Sequence, residues 1–208
     1  MGQLMSLGGV YHLTDHAVNK NNVFVVADNY WYFLSRYAHF TPQVCDTYAY
    51  CQMPNHFHIA VKVKTRAALL LSPPQLLDNW KLSKSSTDKD FQNRVSKQFA
   101  NLFSSYTQSL NKQQGREGAL FKGNFCRSKV EDRAYFHNMI LYIHCNAVHH
   151  EFCTHYMEWA HSSIHTLLFE EDAGFLKRDI LFDSFGGRDA FIKAHDAWRL
   201  SDWDEDFS

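Results

Sequence analysis

The chain has 208 residues, 45% hydrophobic and 15% aromatic, a composition that supplies one sizeable core and excludes a disordered chain. No run approaches the roughly 18 uncharged apolar residues of a membrane helix, and the start Met1-Gly2-Gln3-Leu4-Met5-Ser6 lacks the basic flank and apolar segment of a signal peptide. The expectation is therefore a cytoplasmic protein with no membrane partner. The 21 Lys and Arg nearly balance the 22 Asp and Glu, which excludes a strongly basic protein that tracks duplex DNA without specificity.

The sum hides a gradient. Lys81 to Arg133 carries 11 basic and 5 acidic residues, whereas Ala134 to Ser208 carries 5 and 13, so the middle can hold phosphates and the end repels them. Five cysteines (Cys45, Cys51, Cys126, Cys145, Cys153) are odd in number and form no C-x-x-C, a pattern of reduced packing thiols rather than of a disulfide framework or zinc knuckle.

In chain order, Gly9 to His16 reads as a short strand. Asp28 is placed to cap an aromatic helical run (Tyr30, Trp31, Phe33, Leu34, Tyr37) that Thr41-Pro42 closes. Val44 to Gln52 and His56 to Lys64 form a hairpin across Met53-Pro54-Asn55. Arg66 to Asp88, interrupted by Ser72-Pro73-Pro74, reads as an irregular insertion. From Lys89 to Gln113, Phe91, Val95, Phe99, Leu102, Phe103, Tyr106 and Leu110 recur at steps of three and four, one apolar stripe of a long helix that Gly115 and Gly118 end. Leu120 to Val130 suits a fourth strand, and Arg133 to Val148 a third helix. The order β-α-β-β-α-β, then α, is that of an α+β ferredoxin-like fold: an antiparallel sheet with helices on one face and the other open for a site. Beyond Val148 come a Trp/His-rich loop, a short run at Ile164 to Leu168, a helix from Arg188 to Trp198 and an acidic end from Asp202 to Asp206.

Two constellations can carry chemistry. In strand alternation, Phe57, Ile59, Val61 and Val63 enter the core while His56, His58, Lys62 and Lys64 look out the other way. Two imidazoles at i and i+2 can chelate one cation, and the lysines farther along can meet the phosphates of a bound backbone; H-x-H alone is equally the mark of a surface histidine pair. On the third helix, Asn138, Tyr142 and Asn146 are successive i, i+4 neighbours that place a tyrosine between two amides, beside an apolar side of Phe136, Met139, Ile140 and Ile143. The same pattern also describes a half-buried tyrosine that anchors a helix. Lys122, Arg127 and Lys129 can clamp DNA from the fourth strand if a bulge near Gly123 turns Arg127 away from Phe121 and Phe125. His149, His150, His155, His161 and His165 lack a regular spacing and read as loop or capping residues, and Tyr135 as a packing residue.

Met53-Pro54-Asn55-His56-Phe57-His58, the Gly115-Arg116-Glu117-Gly118-Ala119-Leu120-Phe121 turn and Tyr142-Ile143-His144-Cys145-Asn146-Ala147-Val148 together resemble the single-tyrosine HUH transposases, in the branch of the REP-associated tyrosine transposases. The likeness runs from about Tyr11 to His165. It implies that His56 and His58 bind one divalent ion, that Asn146 completes the protein ligands, and that Tyr142 attacks DNA. Two nitrogens and an amide oxygen favour manganese or a later transition metal, while the family favours Mg or Mn. Ala147 stands where the family usually has proline, so a helix stop is missing just after Asn146, and Glu117 stands where a basic residue is common.

The resemblance implies a nuclease/transposase domain in residues 1–150, with residues 151–208 an appendage packed on it. The implied activity is metal-dependent cleavage and rejoining of single-stranded, hairpin-flanked DNA through a 5′-phosphotyrosine, by a monomer or a homodimer. Metal help is chemically apt: an unaided tyrosine, with a pKa near 10, is ionised only about one part in a thousand at pH 7. A host-recruited hairpin-binding protein with little or no transposition activity, and a metal-binding scaffold without DNA, are the rival readings.

Overall fold

The computed structural model describes residues 4–18, 21–122 and 125–198. Its elements run β1 (Val10–His16), α1 (Ala27–Phe40), β2 (Cys45–Met53), β3 (His56–Val63), α2 (Arg66–Leu70), α3 (Pro74–Trp80), α4 (Asp88–Gln114), β4 (Cys126–Val130), α5 (Arg133–His149), α6 (Ile164–Phe169), α7 (Arg178–Phe185) and α8 (Arg188–Ala197). The strands pair antiparallel in the order β2-β3-β1-β4. Connectivity and strand order together are those of a ferredoxin-like α+β fold.

Several local expectations change. Asp28 is not the cap of α1. That helix begins at Ala27, and the Asn29 Oδ1 accepts from the backbone N–H groups of Val25 and Val26 at 3.0 and 3.1 Å, so the amide one position on satisfies the entering chain. The supposed irregular insertion holds two short helices: the Thr65 hydroxyl caps α2, and Pro74 supplies the fixed φ that suits the first position of α3. The fourth strand is only Cys126–Val130. Phe121 makes an isolated bridge to Ala17, and the bulge expected near Gly123 lies outside the described residues, as does the acidic end from Asp202. An unforeseen helix, α7, precedes α8.

Register decides what each face carries. Leu13 and Asp15 of β1 lie opposite Ile59 and Phe57 of β3, and this face packs on α1 and α4, with the Phe57 ring 5.4 Å from Phe33 and 5.7 Å from Phe103. On the reverse face His12, Thr14 and His16 lie opposite Ala60, His58 and His56. That face is not open: α5 packs over it on β2 and β3, where Ala49, Cys51 and Ala60 are small buried side chains that leave room for a close helix. Residues Met139 to Ala147 are accordingly buried all round, so the amphipathic split expected for this helix is absent in its middle.

Residues after α5 run along the free edge of β2. Gln52 N donates to His161 O, Ser163 N to Tyr50 O, and Lys177 N to Thr47 O, which satisfies an edge that would otherwise be exposed. The five cysteines are free thiols, and burial pushes Cys45 and Cys145 up to about 12, which leaves them unreactive packing groups.

Candidate metal and nucleophile site

β3 supplies His56 and His58 two residues apart on the face beneath α5, and α5 supplies Tyr142 and Asn146 one turn apart. The fold brings these four together across about 90 residues of chain: Asn146 Oδ1 lies 3.3 Å from His56 Nε2, and the Tyr142 ring stands edge-on to His58 at 5.3 Å. The helix continues three residues past Asn146, to His149, as the missing proline permits.

Three further histidines complete the cluster. His12 Nε2 lies 2.9 Å from His58 Nδ1, His16 stacks on His56 at 4.8 Å, and the His150 ring lies 5.2 Å from His56. Only the pairing of β1 with β3 reveals the first two, since no local spacing relates them to the H-x-H pair. His150 is, as its reading as a capping residue expected, the C-cap of α5.

The electrostatics follow from burial. His56 and His58 are 4% and 3% exposed. Burial pushes His56 down to about 3, with the nearby imidazoles of His16 and His150 acting the same way and Asn146 against them. His58 is held well below the usual histidine range by burial and then by His12 and His56, and His12 is lowered to about 4 by burial. All three imidazoles are neutral at pH 7, the form that offers a lone pair. Burial also raises Tyr142 above the ordinary phenol value, an effect the adjacent Asn146 side chain partly offsets.

Proton counting shows what fits here. His56 Nδ1 lies 2.7 Å from Asn55 Oδ1, which can only accept, so the ring proton is on Nδ1 and Nε2 carries a bare lone pair. That lone pair faces Asn146 Oδ1, itself an acceptor, at 3.3 Å. Two facing acceptors repel unless a positive centre lies between them, and adjacent ligands with bonds of about 2.1 Å at right angles sit about 3.0 Å apart. The donor set therefore fits a divalent ion. Among the described residues no three His, Cys, Asp or Glu side chains form a metal-binding group, so any such site here depends on the amide.

The basic residues scatter. Lys62 shares the histidine face but lies six residues from His56, about 20 Å along an extended strand. Lys64 falls just beyond β3, with its ammonium donating to the Pro42 carbonyl at 2.6 Å. Arg127 and Lys129 pair with Leu13 and Tyr11 and so emerge on the opposite face. Arg127 stacks over Phe125 at 4.5 Å, and Lys129 pairs with Glu131 at 3.4 Å. Lys122 is exposed and lies outside β4, where its backbone N–H donates to His16 O at 3.0 Å; of the five it is the one at the histidine end of β1. A cavity of about 360 Å³ lies beside the C-terminal end of α5, walled there by Cys145, Val148 and His149, and the His149 ring is 6.4 Å from that of Tyr142.

No family model and no curated protein matches this sequence. Among the described residues, no helix is long and apolar enough to cross a membrane. Among solved structures, the chain matches a REP-associated tyrosine transposase bound to a REP hairpin, with a TM-score of 0.52 and 14% sequence identity, over 79% of this chain and 81% of that one. At that identity the likeness establishes architecture: this chain has the α+β fold of that transposase.

Proposed function

We propose that this protein is a metal-dependent, single-tyrosine DNA strand transferase of the REP-associated type, acting on single-stranded DNA flanked by a hairpin. The observation that carries the reading is the convergence of Tyr142 and Asn146 from α5 on His56 and His58 from β3, with Asn146 Oδ1 3.3 Å from His56 Nε2. The matched fold, seen in a transposase bound to a hairpin, supports it.

In this reading His56, His58 and Asn146 hold one Mg or Mn ion, which supplies positive charge for a non-bridging phosphate oxygen and for the developing phenolate. Tyr142 Oη forms a bond to phosphorus as the bond to O3′ breaks; the phenol loses its proton and the departing 3′-oxygen gains one. The product is a 5′-phosphotyrosine and a free 3′-hydroxyl. Because the phosphodiester is exchanged rather than hydrolysed, the reverse reaction with another 3′ end needs no nucleotide triphosphate.

One observation favours the rival reading, a recruited hairpin-binding protein: Tyr142 is only 5% exposed. Incubation of the full chain with labelled single-stranded hairpins and Mn separates the two. The strand transferase yields an adduct that survives denaturation; tight hairpin binding with no adduct in Mg or Mn favours the binding protein.

A further inference from the structure

We infer that His12 is a positioning residue, which accepts the Nδ1–H of His58 and so fixes His58 in the tautomer whose bare Nε2 faces an ion. The inference rests on the metal reading above and goes beyond it by assigning work to a side chain outside the ligand set.

The argument begins with strand pairing. His12 sits in the middle of β1 opposite Ala60, whose small side chain leaves space for the imidazole to lean along the face toward His58. The two rings stack at 5.1 Å with an interplanar angle of 23°, and Nε2 of His12 comes within 2.9 Å of Nδ1 of His58. Both side chains are buried, and the single hydrogen bond between the two imidazoles carries one proton, which allows two arrangements.

If His12 donates, His58 must hold its proton on Nε2 and has no lone pair to offer. If His58 donates, its Nε2 is bare and His12 keeps its proton on Nδ1. Only the second suits a ligand. The same logic operates at the neighbouring imidazole, where Asn55 Oδ1 accepts from His56 Nδ1 and leaves Nε2 bare. Both candidate ligands thus have Nδ1 occupied by a partner from another position, the arrangement by which outer groups orient metal-binding histidines. His12 also stands edge-on to Tyr142 at 6.1 Å, so it holds the nucleophile's ring from the side as well.

The test uses the full chain and two readouts. Long-range ¹⁵N–¹H correlation on the metal-free protein, with the His58 signals assigned by their loss in His58→Ala, reads the tautomer directly. A protonated Nδ1 on His58 is expected, and a protonated Nε2 overturns the inference. Mn titration is then followed by paramagnetic broadening in wild type, His12→Gln and His12→Leu. Glutamine carries an oxygen that accepts at a similar reach, so its affinity should stay within a few-fold, whereas leucine should weaken binding by about 10- to 100-fold. Equal affinity in wild type and His12→Leu overturns the role; should His12→Leu fail to fold, loss of Mn binding in a folded His12→Gln overturns it instead. Wild type that shows no Mn effect on His56 and His58 refutes the metal reading itself, a result distinct from an inverted tautomer with Mn bound.

Discussion

A buried relay away from the candidate site offers a quantitative test of the packing. His195 Nδ1 lies 2.8 Å from the Phe191 carbonyl and must donate to it. His195 Nε2 therefore accepts from His144 Nδ1 at 2.8 Å, and His144 Nε2 accepts from the Ser163 hydroxyl at 2.9 Å, tying α8 to α5 and to the strap along β2. Burial lowers His195 from 6.5 to about 4 in the folded chain. The unfolded chain thus takes up the proton first, and the stability contributed by the neutral ring is complete above pH 6.5 and falls as pH drops toward 4. At pH 5 the loss from His195 alone is about 2 kcal/mol, a large share of a typical total of roughly 5–15 kcal/mol. Urea unfolding in EDTA, followed by tryptophan fluorescence at pH 7.5, 6 and 5, measures it. His195→Gln keeps an acceptor for His144 but cannot titrate, so its stability should fall by about 2 kcal/mol less than that of wild type over this range. Parallel pH profiles for the two proteins would refute the reasoning.

Other outcomes follow from the same geometry. Phe57→Ala empties a fully buried position between Phe33, Phe103 and Phe121, and should cost about 3–5 kcal/mol by chemical denaturation. Asn146→Ala should weaken Mn binding at least tenfold with little change in stability; unchanged Mn affinity with a loss of about 1 kcal/mol would mean that the amide is merely hydrogen-bonded to His56. Hairpin affinity should fall with salt. Lys62→Ala should make the log–log slope shallower by about 0.7–0.9, while Arg127→Ala and Lys129→Ala, on the opposite face, should leave it unchanged in filter-binding titrations.

Period and punctuation made much of the fold legible. The stripe from Phe91 to Leu110 marks α4, and Met53-Pro54-Asn55 marks the hairpin, because these signals are local. What escaped was set by packing. The cover of the histidine face depends on Ala49, Cys51 and Ala60 meeting across a register that no window of sequence displays. A helix segment buried all round, such as Met139 to Ala147, does not announce which surface it seats on. The H-x-H pair and the Tyr142-to-Asn146 turn were visible as separate motifs, whereas His12 and His16 joined them only through β1 pairing. Alternation along β3 placed Lys62 on the histidine face, whereas the faces of Arg127 and Lys129 were decided by pairing with β1 and by the late start of β4.

The most direct test of the central claim is the identity of the residue that links to DNA. A hairpin with a labelled single-stranded flank is incubated with Mn and wild-type, Tyr142→Phe or Tyr135→Phe protein, and any adduct is digested and mapped by mass spectrometry. Phenylalanine keeps the buried ring of Tyr142 and removes only the attacking oxygen. The account predicts a 5′-phosphotyrosine on Tyr142 in wild type and Tyr135→Phe, and none in Tyr142→Phe, with hairpin affinity and melting temperature nearly unchanged. An adduct that persists in Tyr142→Phe, or that maps to another residue, would contradict it.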